Sequence, residues 1–212
     1  MSNTIGLIDY GMGNMHSISK ALEHVGGNVQ WIKKTEELDQ VNRIVLPGVG
    51  AFRDCARALH ETGLGPAIVD RANAGMPFLG ICLGMQVLMD ISNEFGRYPG
   101  LGLIHGSVNP FPESHPERGF KIPHMGWNDV ILSSAKEPHS VLAPLAGQQV
   151  YYVHSYYCAP QNPEHLLAAC SYGDFPFAAS IGRDNIVAVQ FHPEKSQRAG
   201  LALLESFIRW NP

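Results

Sequence analysis

One five-residue segment, Gly-Ile-Cys-Leu-Gly at residues 80–84, constrains the fold of this chain more than any other. It follows an apolar run that predicts a buried strand at residues 77–81, and it leads into a segment with helical apolar periodicity. Two glycines around a central side chain permit the sharp, strained strand-to-helix turn known as a nucleophile elbow. The turn predicts that the Cys82 thiol sits at a helix N-terminus, where unpaired N–H groups favour the thiolate and the Leu83 N–H is available to an oxyanion.

The first half of the chain is typical of an α/β protein. Short β-branched runs alternate with segments of helical periodicity, an order that predicts a mostly parallel sheet with helices on its faces. Glycines end the first helical segment, and Thr35 is placed to cap a helix start. The predicted strands are residues 5–9, 29–32, 43–46 and 77–81, and the predicted helices include residues 18–25, 35–38, 52–62 and 66–74.

The second half changes character. Proline and glycine are frequent between residues 98 and 123, and strand-like runs follow one another without helices between them, which predicts antiparallel pairing. Because no linker or repeat separates the halves, we predict one α/β domain over residues 1–212, with a mostly parallel open sheet flanked by helices and an antiparallel second half. The strands expected here are 149–157, 165–171, 178–181 and 186–191, and a closing helix at 199–210 has Leu201, Leu204, Phe207 and Ile208 on its apolar side.

Charge and cysteine content exclude several classes of protein. With 15 basic and 19 acidic residues the formal net charge is −4, and no basic stripe is present, so we expect no nucleic-acid partner. Residues 1–4 lack the features of a signal peptide, and no apolar run approaches the roughly 18 residues that span a bilayer. We therefore predict a soluble cytoplasmic protein with no membrane partner. The spacing of Cys55, Cys82, Cys158 and Cys170 fits neither a zinc site nor a disulfide scaffold.

A second chemical signal is Gln-Phe-His-Pro-Glu at residues 190–194, which follows a predicted strand. In extended backbone residues i and i+2 face the same side, so His192 and Glu194 are expected side by side, while Pro193 ends the strand. A carboxylate there holds one imidazole nitrogen and leaves the other free to take a proton from a thiol. An isolated His-Pro-Glu is more often a solvated strand end. Together with the cysteine elbow it indicates a nucleophile, a base and an orienting acid.

The glycine-rich turn Gly11-Met12-Gly13 invites a dinucleotide-binding interpretation. His16 stands where that fingerprint requires a third glycine, so the pattern fails and we expect no nicotinamide or flavin cofactor. We also expect no metal, because seven histidines lack the spacing of metal ligands and suit surface or packing roles: His16, His24, His60, His105, His115, His139 and His165.

The order nucleophile, base, acid on an α/β chain resembles the class I, or triad, glutamine amidotransferases. Within that superfamily the chain resembles the family of glutaminase subunits of imidazole glycerol phosphate synthase. The elbow and the His-Pro-Glu segment mark the superfamily, whereas Tyr-Gly-x-Gly-Asn, Pro-Gly-Val-Gly and Pro-His-Met-Gly-Trp-Asn narrow the resemblance to this family. The matching segments span nearly the whole chain in order: residues 9–14, 47–52, 80–86, 100–104, 123–128, 152–156 and 191–196.

The resemblance implies a catalytic triad of Cys82, His192 and Glu194. Cys82 would attack the side-chain amide carbon of L-glutamine and form a glutamyl thioester, which water then hydrolyses to glutamate. His192 would first take the thiol proton and later give one to the departing ammonia, and Glu194 would orient His192.

The resemblance also implies an oxyanion site built from backbone. Its donors would be the N–H of Leu83 and an N–H of the glycine loop that contains Gly48, Val49 and Gly50, each donor being worth about 3 to 4 kcal/mol. Glycine lets the backbone approach the substrate and rotate. We expect the isolated chain to be a poor glutaminase because this loop must reorient, and we expect partner binding to favour the reoriented state.

The resemblance also implies four residues that bind the α-amino and carboxyl end of glutamine: Gln86, Glu94, Ser155 and Tyr156. Ser155 and Tyr156 would do so through the backbone of their strand. The alternatives are a solvated helix face for Gln86 and an ordinary loop carboxylate for Glu94. Alternating aromatic residues on a strand more often make core contacts, and this interpretation is the stronger one for the tyrosines taken together: Tyr151, Tyr152, Tyr156 and Tyr157.

Residues that would use the ammonia are not visible in this sequence. Ammonia in neutral water is mostly protonated and then is no nucleophile, so such a glutaminase needs direct transfer to a synthase. The resemblance implies a partner, the (β/α) barrel cyclase subunit of imidazole glycerol phosphate synthase, which makes imidazole glycerol phosphate and aminoimidazole carboxamide ribotide in histidine biosynthesis. The contacts implied for this partner are Met12, Asn14, Trp127, Asn128 and Lys195. For Trp127, a buried position in the core is an equally good interpretation of the sequence.

Three other functions stay open at this point. A different cysteine hydrolase, such as a peptidase, would use the same triad without a partner. An amidotransferase subunit for chorismate, purine or pyrimidine chemistry would keep the triad but not the Pro-His-Met-Gly-Trp-Asn segment. A binding module with a redox-sensing elbow cysteine would need neither His192 nor Glu194.

Overall fold

The computed structural model describes residues 4–134 and 137–212. Residues 1–3, on which the prediction about the N-terminus partly depends, lie outside that part of the chain. The first half alternates strands and helices, as predicted. Its elements are β1 (Thr4–Ile8), α1 (Met15–His24), β2 (Asn28–Ile32), β3 (Arg43–Gly48), α2 (Phe52–Glu61), α3 (Leu64–Asn73), β4 (Phe78–Cys82) and α4 (Leu83–Gln86).

The second half consists mainly of strands and ends in one longer helix. Its elements are β5 (Ile91–Ser92), β6 (Tyr98–Pro99), β7 (Gly106–Pro110), α5 (Ser114–Glu117), β8 (His124–Asp129), β9 (Ile131–Leu132), β10 (Gln149–His154), β11 (Tyr156–Pro160), β12 (Leu166–Tyr172), β13 (Phe175–Arg183), β14 (Ile186–Val189) and α6 (Gln197–Arg209). Short 3₁₀ helices occupy Thr35–Gln40, Ala143–Leu145, Pro163–His165 and Pro193–Lys195. Among the helices of residues 4–134 and 137–212, none has both the length and the apolar character needed to cross a membrane.

A central sheet of eight strands organises the fold, in the order β2-β1-β3-β4-β14-β13-β12-β9. The strands from β2 to β14 in this order pair in parallel, and the remaining three pair antiparallel. The mixed α/β sheet predicted from the sequence is therefore confirmed. Two smaller sheets, β10-β8 and β11-β7-β5-β6, are built from the second half of the chain. The carboxyl ends of β3 and β4 lie side by side, because Gly48 pairs with Cys82.

Apolar side chains fill both faces of the central sheet. Along the parallel strands alternate residues point to opposite faces, so Ile5 and Leu7 pack with α1 and α6 while Ile8 packs with α2 and α3. The two layers of helices hold the sheet between them and exclude water from strand interiors. This arrangement leaves only the strand ends and their loops available for a site.

Two predicted boundaries were wrong in a way that affects the site. Residues 149–157 form two strands, not one, because β10 pairs with β8 while β11 pairs with β7, and the chain passes from one small sheet to the other at Ser155. The predicted strand at residues 186–191 ends at Val189. Both breaks lie at the edge of the cavity described below.

Two helix predictions also needed correction. The segment at Thr35 is a 3₁₀ helix whose N-cap is Lys34, and its start is held by the Glu37 carboxylate, which accepts the N–H groups of Lys33 and Lys34. The last helix begins at Gln197, and its buried side contains Leu203 in place of Leu201. The buried residues follow the i, i+3, i+4, i+7, i+8 spacing of an amphipathic helix: Gly200, Leu203, Leu204, Phe207 and Ile208.

Candidate active site

Cys82 ends strand β4 and turns the chain into α4 with φ 55° and ψ −110°. A positive φ is strained for a residue with a Cβ, so the predicted sharp turn is present. Close packing explains the glycines beside it. A Cβ at Gly84 would overlap the carbonyl oxygen of Leu46, and a Cβ at Gly80 would lie 2.8 Å from the carbonyl oxygen of Gly84. A side chain at either position would displace the turn.

The helix after the elbow, α4, has four residues, about one turn. It ends at Gln86, because the carbonyls of residues 87–89 accept N–H groups from residues 101–104 in place of a further helical turn. One turn of helix carries only a small macrodipole. The environment of Cys82 is therefore set by the strained turn and by neighbouring side chains more than by a helix end.

His192 and Glu194 are paired and buried. The Nδ1 of His192 lies 2.9 Å from Oε1 of Glu194, and the two side chains are 3% and 0% exposed. A carboxylate accepts, so Nδ1 carries the proton and Nε2 is left for a second partner. The Cys82 side chain lies in the same cavity wall as His192 and is near enough to act on the pKa of the imidazole. The three residues predicted as a triad are thus brought together.

The backbone conformation that brings His192 and Glu194 together differs from the extended strand that was predicted. Strand β14 has ended before His192, and Pro193–Lys195 form a 3₁₀ turn that places the carboxylate against the imidazole. The turn is held by Ser196, whose hydroxyl donates to the His192 carbonyl at 2.6 Å and accepts the N–H of Tyr151 at 2.9 Å. The His192 N–H donates to the Tyr151 carbonyl at 2.9 Å.

Opposing effects act on the His192 imidazole. Burial lowers the pKa of His192, but hydrogen bonds to Cys82 and Glu194, with the charges of these two groups, outweigh burial and raise the pKa to about 10. The proton is therefore retained on His192 at neutral pH when the cysteine is a thiolate. This is the charge distribution that a nucleophilic thiolate with a waiting proton donor requires.

The glycine loop approaches the elbow from β3. The Tyr10 hydroxyl donates to the Pro47 carbonyl at 3.0 Å and fixes the start of the loop. Gly48 packs against the elbow so closely that a Cβ there would lie 2.8 Å from the Cβ of Leu83. Beyond it the loop is looser: Val49 is 39% exposed and Gly50 has φ +97°. The residues predicted to supply oxyanion donors lie close together, because Gly48 packs on Leu83 and because Val49, Gly50 and Leu83 line one cavity. Their role as donors stays a prediction.

A cavity of about 560 Å³ connects these elements. Cys82 and His192 lie in its wall together with the predicted glutamine-binding residues. In the part of the chain that the structure describes, no three His, Cys, Asp or Glu side chains are grouped as a metal site would require. The cavity is lined by Val49, Gly50, Cys82, Leu83, Gln86, Glu94, Phe95, Ile122, Pro123, Val153, His154, Ser155, Tyr156, His192 and Lys195.

Gln86 and Glu94 line this cavity, and neither is an ordinary surface residue. Gln86 is 5% exposed and its Nε2 donates to the Tyr156 carbonyl at 3.1 Å, which excludes the solvated helix face considered from the sequence. Glu94 accepts the N–H of Phe52 at 2.5 Å and so caps the start of α2. The Glu94 carboxylate thus links the cavity to the helix that follows the glycine loop.

Ser155 and Tyr156 lie where β10 ends and β11 begins. The Tyr156 carbonyl accepts from both Gln86 and His154, at 3.1 and 2.9 Å. The Tyr156 ring contacts Phe95, with ring centroids 6.2 Å apart. The expectation of core contacts holds for Tyr152, which is fully buried, while Tyr156 is half-buried at the cavity wall.

The residues predicted to contact a partner lie in two groups. Trp127 is 45% exposed and packs edge-on against Tyr151, whose ring also carries the Lys195 ammonium 5.8 Å from its centroid. Trp127 is thus no core residue. Asn128 is directed inward, where its Nδ2 donates to the Ser171 carbonyl at 2.9 Å.

The other group lies beside the glycine loop. The Met12 methyl group is 3.2 Å from where a Cβ at Gly50 would stand, and Asn14 is the N-cap residue of α1, although its side chain makes no capping hydrogen bond. Met12 and Asn14 are both half-buried. Their role in an interface stays a prediction.

Sequence reasoning missed three polar residues near the site. Gln190 is fully buried and donates from Nε2 to the Cys82 sulfur at 3.7 Å, while its Oε1 accepts from Gln86 at 3.0 Å. Gln190 lies two residues before His192 at the end of a parallel strand, where α/β proteins bind their ligands. This position in the sequence could have identified Gln190 as a site residue. His124 and His154 are buried and bonded to each other. Lying 30 residues apart, they had no spacing that could have joined them.

Comparison with known proteins identifies the family of the chain. The sequence profile of the class-I glutamine amidotransferases matches residues 6–210. The imidazole glycerol phosphate synthase subunit HisH of Methylococcus capsulatus is 49% identical over 99% of this chain and 98% of its own length. The HisH subunit of Geobacter sulfurreducens is 48% identical over 96% of this chain and 97% of its own length.

Solved structures share the fold at much lower identity. PurLQS from Thermotoga maritima aligns with a TM-score of 0.75 at 18% identity, over 99% of each chain. A crystal structure of a glutamine amidotransferase aligns with a TM-score of 0.72 at 17% identity, over 96% of this chain and 98% of the other. The fold, the sequence profile and the near-complete overlap with the bacterial relatives agree. The chain therefore belongs to the class I glutamine amidotransferases and, within them, to the family of HisH subunits of imidazole glycerol phosphate synthase.

Proposed function

We propose that this chain hydrolyses L-glutamine to glutamate and ammonia and delivers the ammonia to a cyclase subunit of imidazole glycerol phosphate synthase in histidine biosynthesis. The observation that carries the proposal is the buried Cys82, His192 and Glu194 cluster in a cavity next to a glycine loop. The family to which the chain belongs supports the choice of substrate and pathway. A cytoplasmic location, predicted from the sequence, is part of the same proposal.

The reaction begins when the Cys82 sulfur attacks the side-chain amide carbon of glutamine. The thiol proton passes to Nε2 of His192, the nitrogen that Glu194 leaves free. The resulting tetrahedral intermediate collapses when the imidazolium gives its proton to the amide nitrogen, so that ammonia leaves and a glutamyl thioester remains. His192 then takes a proton from water, and hydroxide attack on the thioester releases glutamate and restores the thiol.

Charge on the tetrahedral oxygen needs backbone donors. The Leu83 N–H follows the nucleophile directly, and a second donor comes from Gly48, Val49 or Gly50. Removing one such donor in comparable sites costs about 10² to 10³ in rate. The exposed Val49 and the positive φ of Gly50 support a loop that adjusts before it supplies its N–H.

Gln86, Glu94, Ser155 and Tyr156 are proposed to hold the amino-acid end of the substrate. All four line the cavity that contains the nucleophile. The carboxylate of Glu94 can bind the α-ammonium group of glutamine. The amide of Gln86 and the backbone of Ser155 and Tyr156 offer donors to its α-carboxylate and acceptors to its ammonium group.

A partner surface is proposed on β8 and its neighbours. Met125 and Trp127 are 64% and 45% exposed on the outward side of this strand, and Lys195 is both exposed and part of the cavity wall. Exposed large apolar side chains beside a catalytic cavity are typical of a binding surface. A cyclase bound there would receive ammonia without release to water, where it would be protonated.

The test is to substitute Cys82→Ala, mix the variant with a cyclase subunit, and compare glutamine with an ammonium salt as nitrogen donor. We expect glutamine-dependent synthesis to disappear while ammonium-dependent synthesis stays within about twofold of wild type, because only the first requires the thioester. Loss of both activities would contradict the proposal and assign Cys82 a structural role.

The alternatives predict different outcomes. A peptidase would cleave peptide or ester substrates without a partner, and a redox sensor would function without His192 and Glu194. Substituting His192→Asn separates the sensor from the hydrolases, since unchanged behaviour would contradict every mechanism that needs a base.

A further inference from the structure

Two buried histidines outside the triad form a bonded pair. His124 on β8 and His154 on β10 are cross-strand neighbours, 3% and 5% exposed. The Nδ1 of His124 lies 3.0 Å from Nε2 of His154. Buried imidazoles with direct ring-to-ring hydrogen bonds need every nitrogen satisfied. The mechanism proposed above uses neither residue.

The contacts fix the proton positions on both rings. The Tyr156 carbonyl only accepts, so His154 carries its proton on Nδ1, which lies 2.9 Å from that oxygen. Nε2 of His154 must then accept from Nδ1 of His124, and Nε2 of His124 is left to accept from the Asn128 amide at 3.3 Å. The hydrogen bonds therefore all run in one direction, from Asn128 to Tyr156.

Both histidines are neutral in this arrangement. Burial lowers the pKa of His124 to about 4. Burial also lowers the pKa of His154 to about 3, although the bond to the Tyr156 carbonyl acts in the opposite direction. A second proton on either ring would set two donors against each other. We call Asn128, His124, His154 and the Tyr156 carbonyl the histidine relay.

The histidine relay continues to the nucleophile. The Tyr156 carbonyl also accepts from Gln86, which donates to Gln190, which donates to the Cys82 sulfur, at 3.1, 3.0 and 3.7 Å. A continuous series of hydrogen bonds thus joins the inward side of β8 to the reacting atom. Such a series transmits small displacements because each bond restricts the next.

The other end of the relay lies behind the proposed partner surface. Side chains alternate along β8, so Met125 and Trp127 point outward while His124 and Asn128 point inward. Within the described residues β8 pairs with β10 alone, and on its other side Asn128 links it to β12 through the Ser171 carbonyl. Contact on its outward side would move the residues that begin the relay.

We infer that His124 and His154 are positioning residues that couple strand β8, at the partner surface, to the placement of Cys82 and its glutamine pocket. This inference rests on the proposed function. It assigns the coupling to two side chains whose hydrogen bonds reach none of Cys82, His192 and Glu194, although His154 lines the cavity. His124 is buried and does not line the cavity, so an effect at this position cannot arise from lost contact with either ligand.

The test substitutes His124→Phe, which keeps the ring stacked on Tyr172 and Tyr152 but removes both nitrogens. Glutaminase kcat and KM are measured for the chain alone and for its complex with the cyclase subunit and nucleotide. We expect the ratio of partner-stimulated to basal kcat to fall about tenfold, with the basal kcat, the KM for glutamine and the Kd for the cyclase within twofold of wild type.

Two further variants decide the result. His124→Asn retains an amide donor to His154 but loses the acceptor for Asn128, and it should lose stimulation as well; it decides the question if the phenylalanine variant does not fold. Tyr172→Phe keeps the ring 4.2 Å from that of His124 and removes a hydroxyl bonded to Lys121, outside the relay, so its stimulation ratio should match wild type.

Undiminished stimulation in the His124 variants would overturn the inference, as would an equal loss of kcat with and without partner or an equal loss in Tyr172→Phe. If wild type itself neither hydrolyses glutamine nor responds to the cyclase, the proposed function fails first, and that outcome is distinct. A Kd for the cyclase within twofold of wild type in each variant shows that assembly is preserved.

Discussion

The two sides of the catalytic cavity differ in how firmly they are held. On one side Cys82 is buried beside the hydrogen-bonded pair of His192 and Glu194, and the turn that carries this pair is fixed by Ser196. On the other side Val49 is 39% exposed, and within the described residues the N–H groups of Val49 and Gly50 make no hydrogen bond. The groups proposed to make and break bonds are thus preassembled, while the proposed oxyanion donors of the glycine loop are left adjustable.

This difference indicates where a bound partner would control the reaction. Control over the nucleophile itself would require disrupting a buried hydrogen-bonded cluster. Moving a glycine-containing loop costs far less, and an oxyanion donor is worth about 10² to 10³ in rate. A partner that shifts the loop between two orientations would thereby change turnover without altering the triad.

The largest expected effect comes from breaking the preassembled side. His192→Asn should lower glutamine-dependent kcat at least about 10⁴-fold, because base and acid roles are both lost, while ammonium-dependent synthesis in the complex stays unchanged. Steady-state assays with the two nitrogen donors measure this. His60→Asn, on the exposed side of α2, is the control; a His192 variant that kept a tenth of wild-type activity would contradict the triad.

Glu194→Gln should cost roughly 10³-fold and also change the pH profile. The carboxylate helps to raise the pKa of His192 to about 10. Without its charge this pKa falls, so the imidazolium that protonates the departing amide nitrogen loses its proton at a lower pH. The basic limb of the kcat profile should therefore move to lower pH by about one unit or more. A basic limb at the wild-type pH, or at a higher pH, would show that Glu194 does not act on His192.

A smaller effect is expected from the adjustable side. Gly50→Ala adds a Cβ at φ +97° and 3.2 Å from the Met12 methyl group, which should lower partner-stimulated kcat by about 10² while leaving alkylation of Cys82 unchanged. Gly26→Ala is the matched control, since it has φ +88° with nothing within 4 Å. Equal losses in the two variants would attribute the effect to backbone strain alone.

The smallest effect concerns acid stability. The pKa of His124 is about 4 and that of His154 about 3 in the folded chain, below the unfolded value of about 6.5. As the pH falls below 6.5 the unfolded chain takes up protons that the folded chain does not, so the free energy of unfolding decreases. Between pH 7 and 5 one such histidine costs about 1.8 kcal/mol, so the Tm of wild type should fall about 4 to 7 °C more than that of His124→Phe. Identical decreases would show that His124 is not held neutral.

The sequence was sufficient for the parallel sheet, the elbow and the triad residues, because each has a local pattern. It was not sufficient for contacts set by distant segments. The length of α4 depends on residues 101–104, and the approach of Glu194 to His192 depends on a turn held by Ser196. Gln190 and His154 gained roles only through neighbours far along the chain.

The most direct test measures the reactivity of Cys82 and the turnover of glutamine in the same sample. The rate constant for iodoacetamide alkylation of Cys82 and the glutaminase kcat are determined for the chain alone and for its complex with cyclase and nucleotide, with Cys82→Ala as the blank for the buried cysteines 55, 158 and 170. We predict that alkylation changes less than about threefold while kcat rises by about 10² or more. A parallel rise in both, or no rise in kcat, would contradict a preassembled triad with an adjustable oxyanion loop.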